Sequence, residues 1–112
     1  MQIEAVKLNL AADTLPDQLE ILTYLAGGEV VIVAAGMQDD VIDQAKKSVV
    51  PVGLKTDGGY YWPLSLEYYM KNHWVGVTGP FLSEIRKSGY QAPKLTPERL
   101  AEIRSFLTNQ PE

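Results

Sequence analysis

The chain has 112 residues, 46% hydrophobic and 21% charged, with a formal net charge of −4 and no cysteine. That length fits one domain, burying roughly two thirds of its unfolded surface without staples. The composition excludes extended disorder, and the lack of cysteine excludes a disulfide framework, a thiol nucleophile and a cysteine-based zinc site.

The ten basic residues are scattered, so the concentrated basic face that grips nucleic acid is not expected. A mildly acidic surface suits a basic protein partner. The longest apolar run, residues 30–35, is too short to cross a bilayer, and no membrane contact is expected. Residues 1–10 interleave polar and apolar side chains with no basic region ahead of an apolar block. No signal peptide is therefore expected, and the chain is read as cytoplasmic.

Taken in chain order, residues 2–10 read as a strand. The apolar phase slips between Ala5 and Val6, which predicts a bulge or a change of strand partner there. Asp13 or Thr14 then caps a helix with Pro16 in its first turn, striped by Leu15, Leu19, Leu22 and Ala26 and ended by Gly27–Gly28. Residues 29–37 are the most apolar segment, β-branched and bounded by glycine, and read as the central buried strand. For residues 39–48 a weak helical stripe (Val41, Ile42, Ala45) competes with a strand extension through Ile42 and a polar turn.

Residues 49–55 form the next strand, placed at an edge or paired only after Pro51. Thr56-Asp57-Gly58-Gly59 is a turn with a mechanism, since aspartate bonds its own backbone and glycine supplies positive φ. Tyr60–Trp62 returns as a short strand, closing a hairpin. Three helices follow. The first starts at Pro63 with Leu66, Tyr69, Met70 and His73 on one stripe. The second runs from Pro80 to Gly89 with Phe81, Leu82 and Ile85. The third starts at Thr96-Pro97-Glu98 with Leu100, Ile103, Phe106 and Leu107, fraying from Asn109 onward. The expected architecture is α+β: an antiparallel sheet of three to four strands, one early helix, and three C-terminal helices packed on one face.

The candidate site residues come from an aromatic block. Tyr60, Tyr61, Trp62, Tyr68, Tyr69 and Trp74 lie within residues 60–74. Large rings with a polar handle suit interfaces, and they equally fill a small core. If Tyr61 points inward, Tyr60 and Trp62 share the opposite face. His73 is the only histidine, which rules out a histidine-rich metal site. A His/Asp/Ser set is available on paper through Asp57, yet no serine sits in a nucleophile-elbow context. Asp39, Asp40 and Asp43 lack the EF-hand pattern and read as a solvated turn. Glu67 and Glu84 fall on exposed helix faces. Gly76 and Gly79 read as turn chemistry. No catalytic residue, metal ligand or cofactor is assigned.

The stretch from Thr56-Asp57-Gly58-Gly59-Tyr60-Tyr61-Trp62-Pro63 through Leu66, Tyr68–Tyr69 and His73 to Phe81, Ile85 and Gly89–Tyr90 covers about a third of the chain. It resembles a pattern in a family of small bacterial proteins of no assigned activity, with Gly79–Pro80 standing where a leucine–proline pair is expected. Some proteins of this general kind look like immunity or accessory proteins of toxin systems. The reading that results is a non-enzymatic protein-binding module using Tyr60, Tyr61, Trp62, His73 and Trp74, beside Asp57. The alternatives are a small enzyme or ligand-binding domain with His73, Asp57 and a tyrosine hydroxyl in one pocket, and a homodimer with the aromatics as its seam.

Overall fold

A computed structural model describes residues 2–109. The fold is α+β, with one four-stranded sheet and four helices. In chain order the elements are β1 (Glu4–Ala5), α1 (Gln18–Ala26), β2 (Glu29–Gln38), β3 (Val50–Thr56), β4 (Tyr60–Pro63), α2 (Leu64–His73), α3 (Pro80–Lys87) and α4 (Pro97–Thr108). The strand order is β1-β4-β3-β2. β2, β3 and β4 are antiparallel neighbours, but β1 runs parallel to β4, so the sheet is mixed.

The expected strand over residues 2–10 shortens to Glu4–Ala5. Pairing stops where the apolar phase slips: Glu4 N–H donates to Gly59 O (3.0 Å) and Val6 N–H to Tyr61 O (2.7 Å), after which the chain leaves the sheet. α1 starts at Gln18, later than the proline suggested, and buries Gln18, Ile21, Tyr24 and Leu25. Leu19, placed on the buried stripe by spacing, is 68% exposed. Gln18 replaces it as an anchor. Its Nε2 donates to Val75 O (2.8 Å) and Met70 O (3.4 Å), while its Oε1 accepts from Leu15 N–H (3.2 Å).

The largest correction concerns β2. It was expected to be central and buried, and it is the edge strand with most of its residues exposed. Two register irregularities interrupt its pairing with β3, and Gly36 sits at φ 86° inside the second. A β-branched apolar run signals extended backbone but does not say how many layers cover it. β3, conversely, is internal, although β4 pairs with it only from Leu54 to Thr56. Pro51, opposite Met37 on β2, lies beyond β4's reach, so its missing N–H breaks no ladder on that side. Residues 39–49 are neither helix nor strand and form the loop joining β2 to β3.

The local signals of the second half hold. Asp57 Oδ1 accepts from Gly59 N–H (3.0 Å) and Tyr60 N–H (2.8 Å), closing the β3–β4 turn with Gly58 at φ 102°. Thr96 caps α4, its hydroxyl accepting from Arg99 N–H (3.1 Å). The fraying expected at the C-terminus falls, from residue 110 on, outside the described residues.

The main core joins Ile21, Tyr24, Leu25, Trp62, Leu66, Met70, Phe81 and Ile85, so α1, α2, α3 and β4 share it. A smaller cluster of Val50, Tyr69 and Val75 lies beside it. α2 rests on β3 and β4, α1 on α2, and α4 against β2. Lys55 crosses between layers. Its Nζ is 2.9 Å from Glu67 Oε1 and 3.3 Å from Ala26 O, so it pairs with α2 while neutralising the C-terminal carbonyls of α1. Glu67 is thus half-buried and paired, where periodicity had put it on an exposed face.

Candidate functional site

Three aspartates organise the polar structure, and the sequence singled out only one of them as a binding candidate. Asp40 is 1% exposed, which overturns the reading of residues 39–43 as a wholly solvated turn. Its Oδ1 accepts from Ile42 N–H (2.7 Å) and Asp43 N–H (2.8 Å), and its Oδ2 from Tyr68 OH (2.7 Å) and His73 Nε2 (2.5 Å). The adjacent Val41 N–H donates to Tyr69 OH (3.0 Å). The loop after β2 is therefore tied to the last turns of α2 through one carboxylate and two tyrosines.

Burial raises the Asp40 pKa. The bonds from the Asp43 amide, His73, Tyr68 and the Ile42 amide together outweigh burial and hold it well below the usual carboxylate range. The same contact with Asp40, followed by burial, pushes the Tyr68 hydroxyl up to about 12. The sign follows directly. A depressed carboxylate contributes stability that is complete above its unfolded value of about 3.9 and lost as pH falls through the folded value. The wild-type urea midpoint is expected to fall more steeply than that of Asp40→Asn between about pH 5 and about pH 2. Parallel curves would show that the Asp40 bonds contribute nothing to folding.

Asp17 forms the second node. Arg86 holds it by Nε and Nη2 (both 2.9 Å), and Tyr90 OH donates to it at 2.6 Å. The Arg86 bonds, then the Tyr90 bond, pull its pKa far below normal. These contacts fasten the start of α1 to α3 and to the loop after it.

Asp57 is the third. Beyond its turn bonds, its Oδ2 accepts from Tyr24 OH at 2.5 Å. Burial, then Asp57, raises the Tyr24 pKa. Tyr24, Asp57, Tyr60, Glu84, Gln91 and Pro93 line a groove of about 320 Å³. A second groove of about 250 Å³ runs between the N-terminal segment and residues 76–81.

The aromatic candidates divide between these places. Trp62 is 0% exposed and cannot be a contact surface; it packs on Tyr24 (centroids 6.3 Å) and Phe81 (5.3 Å). Tyr60 shares that face, 5.0 Å from Phe81, while Tyr61 stays half-buried opposite Thr56 and Ala5. Asp57 is buried as well. His73 is half-buried beside Tyr68 and Tyr69 (6.2 and 5.8 Å). Trp74 alone of the candidates is largely exposed, at 57%.

The pocket that the alternative reading would build from His73 and Asp57 does not form, since His73 bonds Asp40 and Asp57 bonds Tyr24. No local signal marks Asp40 for this partnership, since Val41 and Ile42 adjoin Asp40 and Asp43 alike. The Asp40–His73 pair has the geometry of a general base and its orienter, but the hydroxyls around it belong to tyrosines that bond the loop. Among the described residues no group of three His, Asp or Glu side chains could hold a metal ion, and no helix is long and apolar enough to cross a membrane.

Exposed apolar side chains gather elsewhere. Val30, Val33 and Met37 on β2, Val41 and Ile42 on the following loop, and Trp74 at the end of α2 all stand in solvent. Trp74 is also in the left-handed conformation, φ 57°, as the residue closing α2, a place where glycine or asparagine is usual. The distal end of the β2–β3 arm and the residue closing α2 thus both carry exposed apolar side chains. Compared with protein-family models, curated proteins and solved structures, the chain matches none.

Proposed function

We propose that this chain is a non-enzymatic protein-binding module whose contact surface is the outer end of the β2–β3 arm together with Trp74. The observation that carries the reading is the concentration of exposed Met37, Val41, Ile42 and Trp74 at the place where Asp40, Tyr68, Tyr69 and His73 make the arm rigid. Exposed apolar groups on a braced support are what an interface needs, because little order remains to be created on binding. Trp74 adds the backbone strain common at ligand clamps. The motif resemblance over residues 56–90 is in keeping with an immunity or inhibitor protein of a toxin-like partner in a bacterial cytoplasm.

The test is affinity co-purification of the tagged protein from its host's lysate beside a Val41→Asp, Trp74→Ala variant. Substitutions at such exposed positions change stability by within about 0.5 kcal/mol, so the variant stays folded by circular dichroism. One stoichiometric protein recovered with the wild type and absent from the variant is the expected result. Identical recoveries would sink the proposal. Light scattering on both proteins shows whether the lost partner is a second copy of the chain.

A further inference from the structure

We propose that the groove beside the β3–β4 turn is a binding site for a single cationic group, an alkylammonium or a guanidinium, with Asp57 as its counter-charge. This goes beyond the arm surface, and none of its residues belongs to that surface. Asp57 lines the groove and is only 8% exposed. Gly59 N–H, Tyr60 N–H and Tyr24 OH bond it, but among the described residues no Lys, Arg or His lies within ion-pair distance. A buried carboxylate normally has a charged partner. Asp40 has His73 and Asp17 has Arg86, so Asp57 is the exception among the three.

The surroundings select the missing charge. Glu84 lines the same groove, and among the described residues it pairs only with the exposed Lys87, at 3.7 Å. Arg99 donates to Gly58 O at 3.2 Å and pairs with Glu102. Burial first, then the charges of Glu4, Glu84 and Asp57, raise the Tyr60 pKa. Tyr24, Tyr60 and Pro93 complete the lining. Two carboxylates beside two tyrosine side chains form a recognition set for a cation, with the charge-assisted bonds as its main part. The volume of about 320 Å³ admits a basic side chain or a small amine and is too small for a larger polycationic body to enter whole.

The experiment is amide and ring NMR titration of the whole chain with n-propylguanidinium, 1,4-diaminobutane, N-acetyl-arginine amide and the neutral N-acetyl-citrulline amide. Saturable shifts confined to Gly59, Tyr60, Tyr24 and Glu84 are expected for the cations. Asp57→Asn is expected to weaken binding about tenfold or more, the loss of one charge-assisted bond. Glu84→Gln, at an exposed rim position that leaves the fold intact, should weaken it severalfold. Tighter binding of the arginine amide than of the free amines would assign the site to a basic side chain of a protein. The reverse order would assign it to a small amine. The inference is overturned if the citrulline amide binds as well as the arginine amide, if both variants leave affinity unchanged, or if no cation gives a saturable shift. None of these outcomes depends on the arm surface, so the two proposals fail separately.

Discussion

Trp62→Ala is expected to lower unfolding stability by about 3–5 kcal/mol, the usual cost of deleting a large buried ring. Natural domains hold only about 5–15 kcal/mol, so the variant should lose a large share of its stability. The ring is fully excluded from solvent and meets Tyr24 from α1 and Phe81 from α3, so its loss opens the point where helices and sheet converge. A Cβ on Gly28 would overlap the Trp62 ring, which shows how closely the chain after α1 is laid upon it. Such backbone cannot follow a shrinking side chain far, and the cavity term should therefore be large. Urea unfolding of Trp62→Ala beside Trp74→Ala makes the comparison sharp. The exposed Trp74 should change stability by no more than about 0.5 kcal/mol. Equal losses for the two tryptophans would mean that the core is not built around Trp62.

These two tryptophans, twelve positions apart in one aromatic block, also mark how far the sequence could be read. Trp62 and Trp74 have the same chemistry and similar neighbours, and nothing local says which one is inside. The strand–helix junction at Trp62–Pro63, the Asp57 turn and the Thr96 cap were legible because their causes lie within three residues of each other. Proline, glycine and a capping hydroxyl act through adjacent backbone groups. The edge position of β2 was not legible. Residues 29–37 carry a buried strand's composition, and their exposure depends on the distant facts that β4 occupies the other side of β3 and α4 covers little of β2.

The site failed to emerge for the same reason. Asp40 and His73 are separated by 33 residues, and no spacing rule links a loop carboxylate to the end of a helix. Asp57 was singled out correctly as a turn-former, yet its lack of a basic partner among the described residues becomes visible only when their basic side chains have been placed. Arg104 is another long-range case. It donates from α4 to Val31 O (2.9 Å) and Val30 O (3.3 Å), covering the first part of the β2 edge and leaving the rest open. Edges left open in this way are sites of pairing with another chain, which is consistent with placing the contact surface there.

Gly76→Ala is the other substitution expected to have a large effect, and it corrects the reading of Gly76 as ordinary turn chemistry. Its φ is not positive, so conformational freedom is not what it supplies. It is buried, and a Cβ there would overlap the carbonyl oxygen of Asp13 and lie 3.0 Å from its carbonyl carbon and 3.4 Å from Leu15 Cγ. Gly76 N–H donates to Ala12 O (3.1 Å), and one residue earlier Val75 O accepts from Gln18 (2.8 Å). The segment before α1 and the first residue of α1 are thus both held against the peptide group that joins Val75 to Gly76. Forcing a methyl into packed surroundings costs about 1–3 kcal/mol when side chains can yield. Here the obstacle is backbone, so the loss should reach or exceed the upper end of that range. Gly59→Ala is the control, because its Cβ would meet only Asp57 Oδ1 at an ordinary 3.9 Å and its φ is not positive. That variant should be near neutral in urea unfolding. If Gly76→Ala matched it, residues 12–15 would have to be free to move away from the loop, and the Gly76–Ala12 hydrogen bond would be dispensable to the fold.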